Sequence, residues 1–452
     1  MITLNDDQQS ALDAILAARA SGAKRHLLTG YAGSGKTTLM QEVVRRLGER
    51  HDRVAITAPT HKAVAVLARK LREAGIEAET TTIHALLGLR PSPTDGERTI
   101  LKRAGRSKGD GYDCVIIDEC SMIGADLQDF IDEDLAGCFV LYVGDPAQLP
   151  PVGEREAQCF STPSRSGLNT VVRQAAQNPV LQAANAIRNT QGGRVSWDWA
   201  HTTDAAPLGV YLGGYNCEDW LKDAFTSDEF RADNDAFRYV AYTNAKVAWV
   251  NRMVRRWIYG ETLTPFVPGE RVICRTPISD REGEPALSTN EEGTVQTIRA
   301  SEVYLEFEAH KNDGRARQAL PGWDITIPTW RVELVSDRGM EGVCDIPQQP
   351  SSLERVLARL KTEAAINRGR WFERFQAAER FSRLQSPYAM TVHTSQGSTF
   401  RNVFVDVQDI RKLEYSDPLQ MQQMLYVAVT RASHAVVLVG CAGASEEGDQ
   451  AA

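Results

Sequence analysis

The residues with the clearest chemistry form one octet, Gly30-Tyr31-Ala32-Gly33-Ser34-Gly35-Lys36-Thr37, which fits the spacing G-x-x-x-x-G-K-[S/T]. The apolar run "HLLTG" (26–30) enters it, and a helical pattern leaves from Lys36-Thr37-Thr38. Strand, glycine turn and helix start in that order aim backbone N–H groups at one point, which suits phosphate. Lys36 is placed to reach β- and γ-phosphates and Thr37 to hold Mg²⁺. Gly30, Gly33, Ser34, Gly35 and Thr38 complete the expected cradle. A glycine-rich turn that binds nothing is the plainer alternative, and the strand–loop–helix context opposes it.

Two further strand ends carry polar groups. "CVIIDECSM" puts Asp118-Glu119 at the end of a buried apolar run, where two carboxylates are costly unless a cation or proton meets them. Asp118 suits a magnesium shell and Glu119 suits a base that orients water. The alternative is that one of them caps the next helix. "YVGDPAQLPPVGE" (142–154) ends another strand, and its Gln148 is an uncharged amide suited to sensing a γ-phosphate. Further on, Ser416-Asp417-Pro418 is a helix start. Met421, Met424, Leu425, Ala428 and Val429 recur at helical spacing, so one face of that helix is core and Arg431 falls at its C-terminal end. There it either neutralises phosphate charge across a closing cleft or satisfies C-terminal carbonyls.

The elements that must position these groups read as α/β. The runs "HLLTG", "VAITA" (54–58), "CVIID" (114–118) and "FVLYVGD" (139–145) alternate with helical patterns, which argues for a parallel sheet. A second set, "YVAYT" (239–243), "VFVDV" (403–407) and "VVLVG" (436–440), implies a second α/β domain without a glycine-rich loop. Residues 86–111 read as a hairpin or small insertion. Residues 263–385 read as a larger one, β-barrel-like at first and then a long amphipathic helix or helical pair from Ser351 to Leu384.

Bulk properties set the class. The chain has 452 residues, 42% of them hydrophobic and 24% charged, as in ordinary globular proteins of several domains. No apolar run approaches a membrane span. The start "MITLNDDQQS" lacks an export signal, so a cytoplasmic location is expected. Eight scattered cysteines without C-x-x-C spacing favour reduced thiols over a zinc site. A net charge of −8 counts against a broadly basic nucleic-acid surface, although it does not govern a local groove. Residues 98–108 hold five Lys/Arg and no acid, and residues 351–385 hold eight against four Glu; both suit solvated faces.

The order of these motifs resembles a superfamily 1 helicase of the RecD/Dda-like group. "LNDDQQSA" is similar to its Q motif, in which Gln8 would read adenine. "APTHKAVAVL" (58–67) and "TTIHALL" (81–87) resemble strand-contacting segments of the first motor domain. "VVRQ" (171–174) resembles the segment whose Arg173 reaches the γ-phosphate. "YAMTVHTSQGSTF" (388–400) and "LYVAVTRA" (425–432) resemble the last two motifs. The resemblance implies two RecA-like P-loop NTPase domains in tandem: 1–85 with 112–170, and 171–262 with 386–452. Residues 86–111 would be the pin, and 263–385 an SH3-like module with a helical extension. It implies ATP and Mg²⁺ as cofactors, with Gly397 on the nucleotide side. It makes Arg431 an arginine finger. It implies contacts to single-stranded DNA from Thr60, His61, Lys62, Thr82 and His84 on the first domain. On the second they come from Asn244, Asn251, Thr391, His393 and Ser395. It further implies 5′ to 3′ movement, forked or tailed duplex as partner, a monomer, a phage-type origin and a place in replication or recombination.

The chain also departs from the pattern. Residues 86–111 contain no aromatic, so that Ile100 or Leu101 could act as an apolar wedge instead, which motivates a translocase that unwinds weakly. Thr170 stands where the family has an acid, so a supporting ion pair is expected to be missing. Trp371, Phe372 and Phe375 are expected in the core of the helical extension. A P-loop kinase and a non-catalytic nucleotide-gated module are the competing classes, opposed respectively by Arg431 with the second domain and by Lys36, Asp118, Glu119 and Gln148.

Overall fold

The computed structural model describes residues 4–93, 99–170, 178–190, 209–214, 217–283, 285–310 and 319–441. They form two compact units, one of residues 1–91, 101–254 and 388–452 and one of 92–100 and 255–387.

The first unit contains two parallel sheets. Its N-terminal part runs α1 (Asp6–Ala20), β1 (Arg25–Gly30), α2 (Lys36–Glu49), β2 (Val54–Ala58), α3 (His61–Glu73), β3 (Glu79–Thr82) and α4 (Ile83–Leu86). The strand pair β4 (Leu89–Pro93) and β5 (Thr99–Arg103) follows, then β6 (Cys114–Ile117), α5 (Ala125–Asp134), β7 (Phe139–Gly144) and β8 (Arg165–Leu168). The sheet order is β3-β2-β6-β7-β1-β8, all parallel. Strands β6 and β7 are buried at every position, because helices cover both faces. One apolar layer joins Leu12, Ile15, Leu39 and Val43 to Leu28, Ile116 and Leu141. The other joins Ile83, Leu86, Leu127 and Ile131 to Leu27, Val115 and Val140. The edge strands β3 (ETTT) and β8 (RSGL) are polar, so a search for apolar runs passes over them.

The second sheet is built by α6 (Pro179–Arg188), β9 (Gly209–Leu212), α7 (Glu218–Thr226), α8 (Asp228–Ala232), β10 (Phe237–Ala241) and α9 (Asn244–Tyr259). Its strands are also parallel, in the order β18 (Ala389–Thr391), β10, β19 (Phe400–Asp406), β20 (Ala432–Val439) and β9.

The second unit is antiparallel. Strands β11 (Arg271–Cys274), β12 (Ile278–Ser279), β13 (Pro285–Leu287), β14 (Glu292–Phe307), β15 (Trp323–Ser336), β16 (Glu341–Pro347) and β17 (Leu384–Gln385) form a sheet ordered β16-β15-β14-β11-β17, with β12 and β13 as a separate pair. Helices α10 (Pro350–Ala364) and α11 (Gly369–Glu379) cover the far end of the β14–β15 hairpin through Val356, Leu360 and Ala377, joined by Phe381 just after α11. Phe372 does not join that core; it is 65% exposed, because the apolar stripe passes through Ala377 and Phe381 instead. Trp371 and Phe375 are half-buried.

The chain then returns to the second parallel sheet with β18 (Ala389–Thr391), α12 (Val392–Ser395), β19 (Phe400–Asp406), α13 (Val407–Ile410), α14 (Pro418–Val429) and β20 (Ala432–Val439). Asp417 caps α14 by accepting from the Gln420 N–H at 2.9 Å, and Pro418 opens it. Among the described residues no helix is long and apolar enough to cross a membrane. All eight cysteines are buried and none forms a disulfide.

Candidate active site

Ligands of doubly wound sheets sit at the carboxyl ends of their strands. Three neighbouring strands, β6, β7 and β1, bring the chemistry of the first sheet to that edge. The loop after β1 turns through Gly33 (φ 77°) and Gly35 (φ 83°), both left-handed, as the sharp entry into α2 requires. A Cβ on Gly30 would lie 2.6 Å from the Ser34 hydroxyl, so the loop closes on itself only with glycine there. Ser34 is buried, and its hydroxyl has no hydrogen-bond partner among the described residues. Lys36 donates from Nζ to the carbonyls of Gly30 (2.5 Å) and Tyr31 (3.0 Å). The loop's own oxygens thus hold the ammonium at the place where a phosphate would take it. Thr37 and Thr38 are half-buried in the first turn of α2. Gln8 closes a capping box with Asn5 and extends its amide to the Gly35 carbonyl at 3.4 Å, so it is tied to this loop.

Asp118 and Glu119 follow β6. Glu119 has φ 53°, a strained value for a non-glycine residue. Burial, then the adjacent Glu119 charge, push the Asp118 carboxyl up to about 7, while Lys36 and Lys70 pull it down. Such a carboxyl is short of cations. Among the described residues no cluster of three or more His, Cys, Asp or Glu forms a metal cage. One carboxylate, a hydroxyl and phosphate oxygens are the kind of donor set that Mg²⁺ prefers. Gln148, in the turn after β7, is 7% exposed and its Oε1 lacks a hydrogen-bond partner among the described residues.

The second sheet meets this edge. Arg431, just beyond α14, is buried; it donates to the carbonyls of Val427 (3.0 Å) and Ser398 (3.1 Å) and to the Thr430 hydroxyl. Burial lowers its pKa, and the nearby charges of Glu119 and Asp145 oppose that shift. The guanidinium thus satisfies the backbone carbonyls expected of an arginine at a helix end. Arg173 lies outside the described residues. Thr170, expected to cost an ion pair, donates from its N–H (2.9 Å) and hydroxyl (2.5 Å) to Asp7, next to Gln8. This contact is a hydrogen bond and not an ion pair.

Gly397, expected on the nucleotide side, lies against the start of α3. It is left-handed (φ 70°), and a Cβ there would meet Ala63 at 3.0 Å and the Thr60 hydroxyl at 3.2 Å. It packs the second sheet's loop onto the start of α3. Gly397→Ala is expected to cost about 1–3 kcal/mol through backbone strain and crowding, seen as a melting temperature several degrees lower.

The residues expected at a nucleic-acid strand divide into two groups. Thr60, Thr82 and Thr391 each follow a strand and cap the next helical turn, accepting from Ala63 (3.2 Å), Ala85 (3.1 Å) and Thr394 (3.3 Å) N–H groups. His61 and Asn244 are exposed. Burial lowers the pKa of His84 and His393, which favours the neutral imidazole in both. Three residues are taken up elsewhere. Ser395 is fully buried and donates to the Val392 carbonyl at 2.7 Å. Lys62 pairs with Asp235 at 3.5 Å and sits 4.4 Å from the Phe400 ring centre, joining the two sheets. Asn251 donates to the Ala389 carbonyl (3.0 Å) and accepts from its N–H (2.8 Å), sewing α9 to β18. Asn251→Ala is expected to lower stability by about 2–4 kcal/mol, since two buried backbone groups lose their partner; urea unfolding measures it, and strand affinity of the folded fraction stays unchanged. Leu101, offered as an apolar wedge, packs instead against the Ile83–Leu86 core layer, and Ile100 is half-buried.

Two groups here escaped the sequence reading, Asp145 and Tyr426. Tyr426 donates to the Asp145 carboxylate (2.5 Å) and accepts from the Ala32 N–H (3.0 Å). Its sequence signal is slight: a tyrosine inside an apolar helix needs a partner for its hydroxyl.

Known proteins match in the same places. The family described as AAA domain matches residues 3–204, and the UvrD-like helicase C-terminal domain matches 387–439. The ATP-dependent DNA helicase dda of Enterobacteria phage T4 is 25% identical over 96% of this chain and 99% of its own. The ATP-dependent RecD2 DNA helicase of Deinococcus radiodurans is 34% identical over 41% of this chain and 24% of its own. The structure of a Bacteroides Pif1 helicase in complex with ADP-AlF3 and ssDNA superposes with a TM-score of 0.51 at 17% identity, covering 100% of this chain and 97% of that one. That last likeness is one of fold, two RecA-like sheets in tandem.

Proposed function

We infer that the chain is a member of the RecD/Dda-like group of superfamily 1 helicases and that it hydrolyses ATP to move 5′ to 3′ along single-stranded DNA and to open duplex ahead of it. One observation supports this most: α14, the helix that Arg431 follows, reaches the glycine loop and the end of β7 on the first sheet through the Tyr426 hydroxyl. A kinase or a nucleotide-gated binder has no use for that second sheet. In this reading Lys36 and the loop N–H groups bind the phosphates, Gln8 reads the adenine, and Glu119 orients the attacking water. Thr37 and Asp118 would hold Mg²⁺, which supplies charge neutralisation at the phosphates. Gln148 senses the γ-phosphate. Arg431 reaches it by exchanging the Val427 and Ser398 carbonyls for phosphate oxygens, and Arg173 joins from its motif. Gain and loss of that charge opens and closes the two sheets.

Thr60, His61, Thr82 and His84 on one sheet, and Thr391, His393 and Asn244 on the other, then grip the strand alternately, with the protein acting as a monomer. Neutral imidazoles and hydroxyls suit phosphate and sugar, which position a strand without reading its sequence. The absence of an aromatic in residues 86–111, with Leu101 packed against the core, favours a second reading: a translocase that displaces proteins and unwinds weakly. Forked duplexes with a 5′ or a 3′ tail separate the two. Strand separation from the 5′ tail alone is the expected result. Fast ATP turnover with protein displacement and little separation selects the second reading. Opening from the 3′ tail overturns the direction.

A further inference from the structure

We propose that Tyr426 is a positioning residue that makes hydrolysis conditional on the second sheet, because its one hydroxyl holds the phosphate loop and the Gln148 turn in register. The proposal rests on the ATP-driven reading above and adds a residue to it.

The geometry is a chain of bonds between three elements. The Ala32 N–H of the phosphate loop donates to the Tyr426 hydroxyl at 3.0 Å. That hydroxyl donates to Asp145 at 2.5 Å. The other Asp145 oxygen accepts from the Ala147 N–H at 2.9 Å, fixing the turn that carries Gln148. Asp145 is fully buried, so it has no water to replace a lost partner. The second sheet holds the same turn a second time, through Gln396, whose amide donates to the Leu149 carbonyl at 3.3 Å.

Tyr426 is itself carried on a fixed frame. One turn earlier on α14, Gln422 donates to the carbonyls of Ile187 (2.8 Å) and Arg188 (2.7 Å), tying down the end of α6. Arg188 lies on the Tyr31 ring of the phosphate loop, 3.6 Å from its centre. Two consecutive residues of that loop, Tyr31 and Ala32, are therefore gripped from the second sheet. A phosphate arriving at the loop competes for the Ala32 N–H, and any shift there is passed through one hydroxyl to Asp145 and Gln148. Packing alone does not call for this arrangement, since a phenylalanine fills the same space and a buried polar pair is no better for stability than an apolar one.

Tyr426→Phe, Asp145→Asn and the double variant test the proposal through kcat and KM for ATP with saturating single-stranded DNA, alongside melting temperature. Each single variant is expected to lower kcat about tenfold, the scale of one hydrogen bond to a charged group, with KM moving less than about twofold. The double variant is expected to lose no more than the single ones, because both break one linkage. Tyr426→Phe with wild-type kcat, whatever its melting temperature, overturns the proposal, and so do losses that multiply in the double variant. A wild-type protein without nucleic-acid-stimulated turnover fails earlier, and it overturns the ATP-driven reading together with what rests on it.

Discussion

Replacing Lys36 by alanine lowers ATP turnover by about 10³-fold or more, the range seen when a charged phosphate clamp is removed. The structure explains why no neighbour compensates. The ammonium is bonded to the carbonyls of Gly30 and Tyr31, so the loop is built around it. It is also a cation that opposes the upward pKa shifts of Asp118, together with Lys70, and of Asp145. Without it, two buried carboxyls lose charge balance at the moment that phosphate brings more negative charge. Affinity for single-stranded DNA, read by fluorescence anisotropy without nucleotide, is expected to stay within about threefold, because no strand-facing residue depends on Lys36. Turnover within about tenfold of wild type would remove the phosphate assignment.

Asp118→Asn is expected to give an inactive but more stable protein. The folded-state carboxyl is pushed up to about 7, above the ordinary carboxylate range. The unfolded chain therefore ionises first as pH rises, and the folded protein pays for holding a charge that burial and Glu119 disfavour. That cost begins above the usual carboxylate pKa and is complete above pH 7. It is at most about 4 kcal/mol, and less because part of the residue meets solvent. An amide carries no such cost. In chelator-containing buffer the variant's melting temperature should match wild type near pH 4 and exceed it increasingly toward pH 8. A difference that does not change with pH contradicts the assignment. ATP turnover should fall by about 10³-fold at every pH, since the amide replaces the carboxylate that would hold Mg²⁺.

Local patterns in the sequence carried much of this architecture. The turn at Gly30–Thr37 needs only neighbours in sequence, and so does the Asp417-Pro418 cap of α14. Strands β6 and β7 announce themselves as apolar runs because helices cover both faces. The misses were of another kind. Polar edge strands such as β3 give no apolar signal. Which face of an element is buried depends on partners far away in sequence. Asn251 meets Ala389, Lys62 meets Phe400, and Gly397 meets Ala63, each across more than a hundred residues. Phe372 points outward because Ala377 and Phe381 already fill the hairpin's face. Tyr426 and Asp145 belong to quoted motifs, yet their role appears only when two sheets are placed together.

The measurement that bears most directly on a DNA motor is steady-state ATP hydrolysis with no nucleic acid, single-stranded DNA, duplex DNA and single-stranded RNA, at fixed salt because phosphate contacts are salt-sensitive. Strong stimulation by single-stranded DNA, well above that by duplex or RNA, is the predicted result. A rate unchanged by any of them would contradict the account, and would leave the loop at Gly30 driving some other chemistry.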